Sequence, residues 1–136
     1  MAKFVLTAAY TALNGTDRSS YLSSSELTIE SEAKEVTNYG SGGWKEFLGG
    51  LKSGELKLKF FQDVAASAID SIMWPLLGTV VSFEVRATNA AVGTSNPKYS
   101  GSVLITGWNP IEGSIGDEAT VSVSFPTSGA IARATS

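Results

Sequence analysis

The chain has 136 residues, with ten Lys or Arg against thirteen Asp or Glu, and neither cysteine nor histidine. That length suits one domain with a core of its own, while the two missing residue types exclude a disulfide framework, thiolate zinc sites and the nucleophiles that need an imidazole. A net charge of −3 argues against tight binding of nucleic acid, because lysine and arginine supply affinity for phosphate.

The opening Met-Ala-Lys-Phe-Val-Leu-Thr has too short an apolar stretch for a signal peptide. No window approaches the ~20 apolar residues of a membrane span, so the expectation is a soluble protein made in a cytoplasm. Phe4 to Thr7 reads as a first strand. Residues 14 to 25, with Asn14-Gly15 and the triple serine Ser23 to Ser25, read as loop, with Tyr21 and Leu22 as a short pairing. Glu26 to Val36 alternates, Leu27, Ile29 and Ala33 against Thr28, Glu30, Glu32 and Lys34, as a half-buried strand does.

Residues 37 to 53 hold five glycines and the aromatics Tyr39, Trp44 and Phe47. Such glycine density resists regular structure. Two readings follow: a loop whose aromatics fold back on the chain's own core, or an arm that packs on another subunit, where Tyr and Trp are enriched. Glu55 to Phe61 alternates again, with Leu56, Leu58 and Phe60 inward and Lys57 and Lys59 outward. Pairing with Glu26 to Val36 would bring Glu30 and Glu32 opposite Lys57 and Lys59, each pair contributing roughly 0.2–1 kcal/mol.

Residues 64 to 74 form the one amphipathic helix, with Val64, Ala65, Ala68, Ile69, Ile72 and Met73 on one half of the wheel. Asp63 stands at the N-cap and Pro75 stops the run. Trp74 falls on the polar half, either closing the helix end against a loop or marking a partner surface. Three strands follow: Thr79 to Ala87, with Val81, Phe83 and Val85 on one face; Tyr99 to Trp108, apolar on both faces; and Glu118 to Phe125, with Ala119, Val121, Val123 and Phe125 together. Residues 88 to 98 are a polar loop, and Asn109-Pro110 and Gly113 to Asp117 are turn chemistry. Pro126 to Ser136 is small and polar and reads as a flexible tail that orders on assembly. The whole is one domain, 1–136, mainly β: a β-sandwich or barrel with one flanking helix.

The enzyme design that survives without histidine is a carboxylate pair, with Asp63, Asp70, Glu84, Glu112, Asp117 and Glu118 as candidates. Cap, turn and solvated-face roles account for most of them, and none lies in an apolar run, where a catalytic carboxyl needs to sit. Gly40-Ser41-Gly42-Gly43 lacks the Lys-Ser/Thr ending of a phosphate loop, and Asp117 and Glu118 offer too few oxygens for calcium. The expectation is no catalytic residue, no cofactor and no metal.

The order of these features resembles the phage tail tube (major tail) proteins of long non-contractile tails. It is carried by Val36-Thr37-Asn38 ahead of the aromatic-glycine arm, Gly49-Gly50-Leu51-Lys52-Ser53-Gly54-Glu55-Leu56, the amphipathic helix with Gly78 after it, Asn109-Pro110-x-x-Gly113-x-x-Gly116-Asp117, and Thr127-Ser128-Gly129. Each motif is turn chemistry; their succession across about residues 20 to 130 is the specific part. The resemblance implies six-fold rings stacked into a hollow tube, neighbouring strands joined into an inner β-wall, and long loops bridging rings. It implies partners: other copies of the chain, tape-measure, tail terminator and tail tip proteins, and viral DNA that passes without specific binding; no membrane is involved. It places the protein in the virion tail, assembled in the host cytoplasm. Tyr39, Trp44, Phe47 and Trp74 are then the inter-subunit contact residues, and glutamates should outnumber Lys and Arg on the lumen wall. The rival readings are a monomeric β-sandwich binding module with Trp44, Trp108 and Tyr39 as a sugar platform, and a related ring protein such as a type VI secretion tube or tail terminator.

Overall fold

The computed structural model describes Lys3 and residues 5–136. Two antiparallel sheets face each other. One has five strands in the order β2-β1-β5-β6-β8, from Tyr10–Leu13 (β1), Thr16–Asp17 (β2), Val80–Arg86 (β5), Lys98–Leu104 (β6) and Ala132–Ala134 (β8). The other has three, β3-β4-β7, from Leu22–Glu35 (β3), Phe47–Phe61 (β4) and Thr120–Pro126 (β7). A five-residue helix, Ile69–Met73 (α1), closes one end of the space between them. The chain is thus mainly β with one short helix, as its alternating segments and single amphipathic run require.

The core is built from the inward face of each alternating run. Leu56, Leu58, Phe60, Val121 and Phe125 come from the three-stranded sheet, and Leu13, Val81, Phe83 and Val103 from the five-stranded one. Ile69 and Met73 add the helix face, and Trp108 packs its ring 5.7 Å from that of Phe60 at 60°. Burying side chains of this size contributes about 1.5–3 kcal/mol each.

Several expected boundaries move. Phe4 lies outside the described residues, and Val5 to Thr7 is not a strand; the first strand is Tyr10–Leu13. Its hairpin turns on Asn14 (φ 56) and Gly15 (φ 80), left-handed positions that suit Asn-Gly. The triple serine lies inside β3, where Ser25 pairs with Leu58 and Ser24 with Lys59. β3 and β4 do pair antiparallel, in a different register: Glu26 faces Lys57 (3.8 Å), while Glu30 faces Ser53. Glycine density did not keep 47–53 out of β4; Gly49 and Gly50 are absorbed at a register shift between Ser31 and Ala33.

The helix is much shorter than residues 64 to 74. The Asp63 side chain accepts from the Ala65 N–H (3.0 Å), and Ser67 takes a left-handed φ of 65°, so residues 64 to 67 form a turn instead. Asp63 is therefore no N-cap; that place is held by Ala68 without a side-chain bond. Pro75 does stop the α-helix, which ends at Met73, and itself sits within a 3-10 turn, Trp74–Leu76. Val64 is exposed, whereas Ala68, Ile69 and Met73 are buried. The strand expected at Tyr99 to Trp108 ends at Leu104, after which Ile105 and Trp108 turn into the core from irregular chain. The terminal segment read as a tail carries β8, which pairs with Lys98 to Ser100, and Ile131 packs against the core.

Candidate assembly surface

β3 and β4 are far longer than the strands that cover them. β7 pairs with β4 only from Glu55 to Phe61, so Phe47 to Ser53 has β3 on one side and no strand on the other. At about 3.3 Å per residue, β4 spans about 45 Å. The first half of β4 and the last third of β3 therefore stand out from the sandwich as a two-stranded arm, exposed along residues 30–40.

The tip of the arm is held by a dense set of hydrogen bonds. The Val36 N–H donates to the Glu46 carbonyl at 2.8 Å, and the Glu46 N–H to Thr37 Oγ1 at 2.9 Å. Asn38 caps the 3-10 turn Tyr39–Ser41: its side chain accepts from the Gly40 N–H, while Ser41 Oγ accepts from the Asn38 N–H and donates to Glu46 at 2.6 Å. Gly42 and Gly43 follow with φ of 64° and 85°, two left-handed residues in succession that favour glycine. This scaffold turns the aromatics outward. Tyr39 is fully exposed, Trp44 is 79% exposed and Phe47 is 55% exposed, so the aromatics do not fold back on the core. Leu48 and Leu51 on β4 are exposed as well. Alternation read as loop hid these two leucines; the strand pairing of Gly-Gly-Leu reveals them.

Trp74 is 60% exposed at the other end of the molecule and stands apart from the arm aromatics. Trp108 is buried, and its indole N–H donates to Asp70 at 2.9 Å. Trp44, Tyr39 and Trp108 therefore do not form one platform, as a sugar-binding face would require.

Strand edges divide into closed and open ones. The outer edge of β7 is occupied by side chains from the preceding segment. Thr106 and Asn109 donate to the carbonyls of Ser124 and Ser122, and Glu112 accepts from the Ser122 N–H at 3.0 Å. On β1, Ser19 Oγ accepts from the Thr11 N–H, and the Arg18 N–H donates to the Thr11 carbonyl. The outer edge of β3 has no such cover in the described sheet order, nor has the first half of β4. Open edges are templates for pairing with another chain.

The face of the three-stranded sheet turned away from the core is mostly polar, with Leu48, opposite Lys34, and Phe61 as exposed apolar side chains on it. Register and alternation place Glu26, Glu30, Glu32 and Glu55 there with Lys34, Lys57 and Lys59. Lys57 lies between Glu26 and Glu55 (3.8 and 4.0 Å), and Lys34 lies 3.4 Å from Glu32. The carboxylates weighed as catalytic candidates are dispersed: Asp63 in a turn, Asp70 beneath Trp108, Glu84 between Arg86 and Lys98, Glu112 on the β7 edge, and Asp117 and Glu118 in an exposed loop.

A family described as phage tail tube protein matches residues 7–133. The chain belongs to the phage tail tube protein family. Its role is accordingly that of a structural tail tube component. Among solved structures, this tail tube protein is similar to a chain of the virion of a native gene transfer agent particle, with a TM-score of 0.65 and 22% identity over 83% of this chain and 84% of that one. It is similar also to a chain of the tail of an empty gene transfer agent particle, refined with C6 symmetry, with a TM-score of 0.64 and 22% identity over 82% and 81%. At that identity the likeness is one of fold. The comparison with curated proteins gives no match.

Proposed function

We propose that this tail tube protein assembles into six-membered rings that stack into a hollow tail tube, through which phage DNA passes into the host. The observation that carries the reading is the arm: a two-stranded extension with open edges on both sides and exposed aromatics at its tip. Within a ring, the free edge of β3 in one copy pairs with the free first half of β4 in the next. That is a heterologous contact, which closes when its rotation fits a ring. The C6 symmetry of the similar gene transfer agent tail supports six copies. Between rings, Tyr39, Trp44 and Phe47 make the stacking contact, and Trp74 lies on a second inter-subunit surface.

The polar face of the three-stranded sheet becomes the lumen wall. Four glutamates (26, 30, 32 and 55) against three lysines (34, 57 and 59) on that face, two of the lysines beside carboxylates, give DNA no net attraction. The chain does no catalysis and takes no cofactor. Its partners are further copies of itself, a tape-measure protein, a tail terminator and tip proteins. It resides in the virion tail after assembly in the host cytoplasm.

Negative-stain microscopy of the purified chain tests this reading. Rings or tubes are expected, and a strictly monomeric species at every concentration refutes it. Deleting residues 39 to 47 should leave the fold and the rings but stop stacking; normal tubes from that chain overturn the assignment of the arm.

A further inference from the structure

A stack of identical rings needs two complementary surfaces, one at each end of the subunit, because a head-to-tail contact joins different patches. The arm tip supplies one. The other must lie at the opposite end of β4, beyond Phe61. There the loop 109–119 carries Ile111 and Ile115, 94% and 106% exposed. Isolated apolar side chains on a surface are ordinary, but two isoleucines held fully outward on one loop are not explained by the fold of the single chain.

The loop is built, not loose. Gln62 donates to the Pro110 carbonyl at 2.6 Å, Asn109 donates to the Ser122 carbonyl, and Glu112 accepts from the Ser122 N–H. A turn closes with the Asp117 N–H on the Ser114 carbonyl at 3.1 Å, placing Ile115 at its apex. Trp108, immediately before the loop, is locked to Asp70. These bonds fasten the backbone while leaving the two isoleucines without a partner. The loop is also acidic throughout: Glu112, Asp117 and Glu118 with no Lys or Arg from 109 to 119. On the arm tip, Lys45 stands beside Trp44, and Glu46 is engaged by Ser41.

We infer that the loop 109–119 is the acceptor for the arm of a second copy of this chain in the adjacent ring, with Ile111 and Ile115 packing on Trp44 and Tyr39 and the acidic loop facing Lys45. The inference rests on the stacked-ring reading above and adds the surface that the arm engages. Placement selects the occupant: the apolar tip, with Lys45 beside Trp44, and the apolar, acidic loop lie at opposite ends of β4, as a head-to-tail contact between copies requires. Two copies of the same end would bring like surfaces together, so the contact also sets a polarity along the tube.

The experiment uses three chains: the unmodified one, the double variant Ile111→Asp/Ile115→Asp, and the chain lacking 39 to 47. Thermal unfolding of the double variant should match the unmodified chain, because both side chains are exposed. Rings of the double variant keep their arms and lose the acceptor; rings of the deleted chain keep the acceptor and lose the arm. Each alone should give single rings in negative stain and sedimentation, and preformed rings of the two mixed together should give ring pairs that grow no further. Normal tubes from the double variant, or a mixture that forms no pairs, overturns the inference while leaving the arm assignment standing. Should the double variant unfold, Lys45→Glu takes its place: it should cut tube length at least ten-fold, and Asp117→Lys/Glu118→Lys in the same chain should restore it. Unchanged tubes with Lys45→Glu, or no restoration, has the same overturning force. Absence of rings from the unmodified chain instead strikes the ring reading itself.

Discussion

On the proposed stacking, Trp44→Ala should separate assembly from folding, with a magnitude that follows from its exposure. A tryptophan presents up to about 250 Å²; at 79% exposed, roughly 200 Å² is available on the arm tip. If three-quarters of that is covered by the next ring, burial at ~25 cal/mol/Å² contributes about 3.7 kcal/mol. Ordering the side chain and its partners costs about 1 kcal/mol of this. The remainder, roughly 2.5 kcal/mol, is of hot-spot size, and at 1.4 kcal/mol per ten-fold it weakens one contact by a factor of about 60. A ring offers the contact once per subunit, so the loss multiplies, and stacking should stop where the unmodified chain forms tubes. The free subunit should hardly notice, with a stability change within about 0.5 kcal/mol, as for exposed positions generally. The assay is sedimentation and negative stain over a hundred-fold concentration range, paired with thermal unfolding of the unassembled chain. Tubes appearing at the unmodified concentration would refute the stacking role of Trp44. A large loss of subunit stability would refute the structural premise that the tip is independent of the core.

Three further outcomes are expected. Trp108→Phe keeps a tilted ring contact with Phe60 but removes the donor to Asp70; denaturant unfolding should show a loss of about 1.5–3 kcal/mol, the range for a hydrogen bond to a charged group. Gly54→Ala sets a Cβ 2.8 Å from Ile131 Cδ1 and 3.1 Å from the Thr28 carbonyl oxygen; the crowding should cost about 1–3 kcal/mol and raise proteolysis after residue 126 by displacing Ile131. Glu26→Lys/Glu30→Lys converts the proposed lumen face to a basic one. Tubes of this variant should retain DNA on co-sedimentation, with binding that falls steeply as salt is raised, whereas unmodified tubes should not; equal DNA retention by both would show that this face does not line the conduit.

The strands were legible where side chains alternate over a buried face. Leu56, Leu58 and Phe60, or Val81 and Phe83, announce themselves because one period-two run meets one core. Legibility failed where local competition decides. Asp63 and Ser67 spend the first turn of the expected helix on an Asx-type bond and a left-handed residue, which the hydrophobic wheel does not register. It failed again where a strand has no core to pack on: β3 beyond Ile29 and β4 before Gly54 are held by their mutual ladder, so serine and glycine are tolerated and the hydrophobic signal fades. The arm aromatics were visible as a dense cluster at Tyr39, Trp44 and Phe47, since composition alone marks them. The exposed isoleucines of the loop 109–119 were not, because an apolar residue in a turn carries no sign of which way it points.

The closed edge of β7 has a consequence for the life of the subunit before it joins a tube. A sandwich with a bare valine-rich edge, made in the quantities a long polymer requires, would nucleate cross-β fibrils from its own stock. Here Thr106, Asn109 and Glu112 already occupy the backbone groups at Ser122 and Ser124, so that strand recruits nobody. The bare edges of β3 and of the first half of β4 carry serines, glycines and alternating charges, which make a poor fibril seed. An edge sealed within the subunit thus lowers the risk of aggregation while the arm edges stay open for pairing.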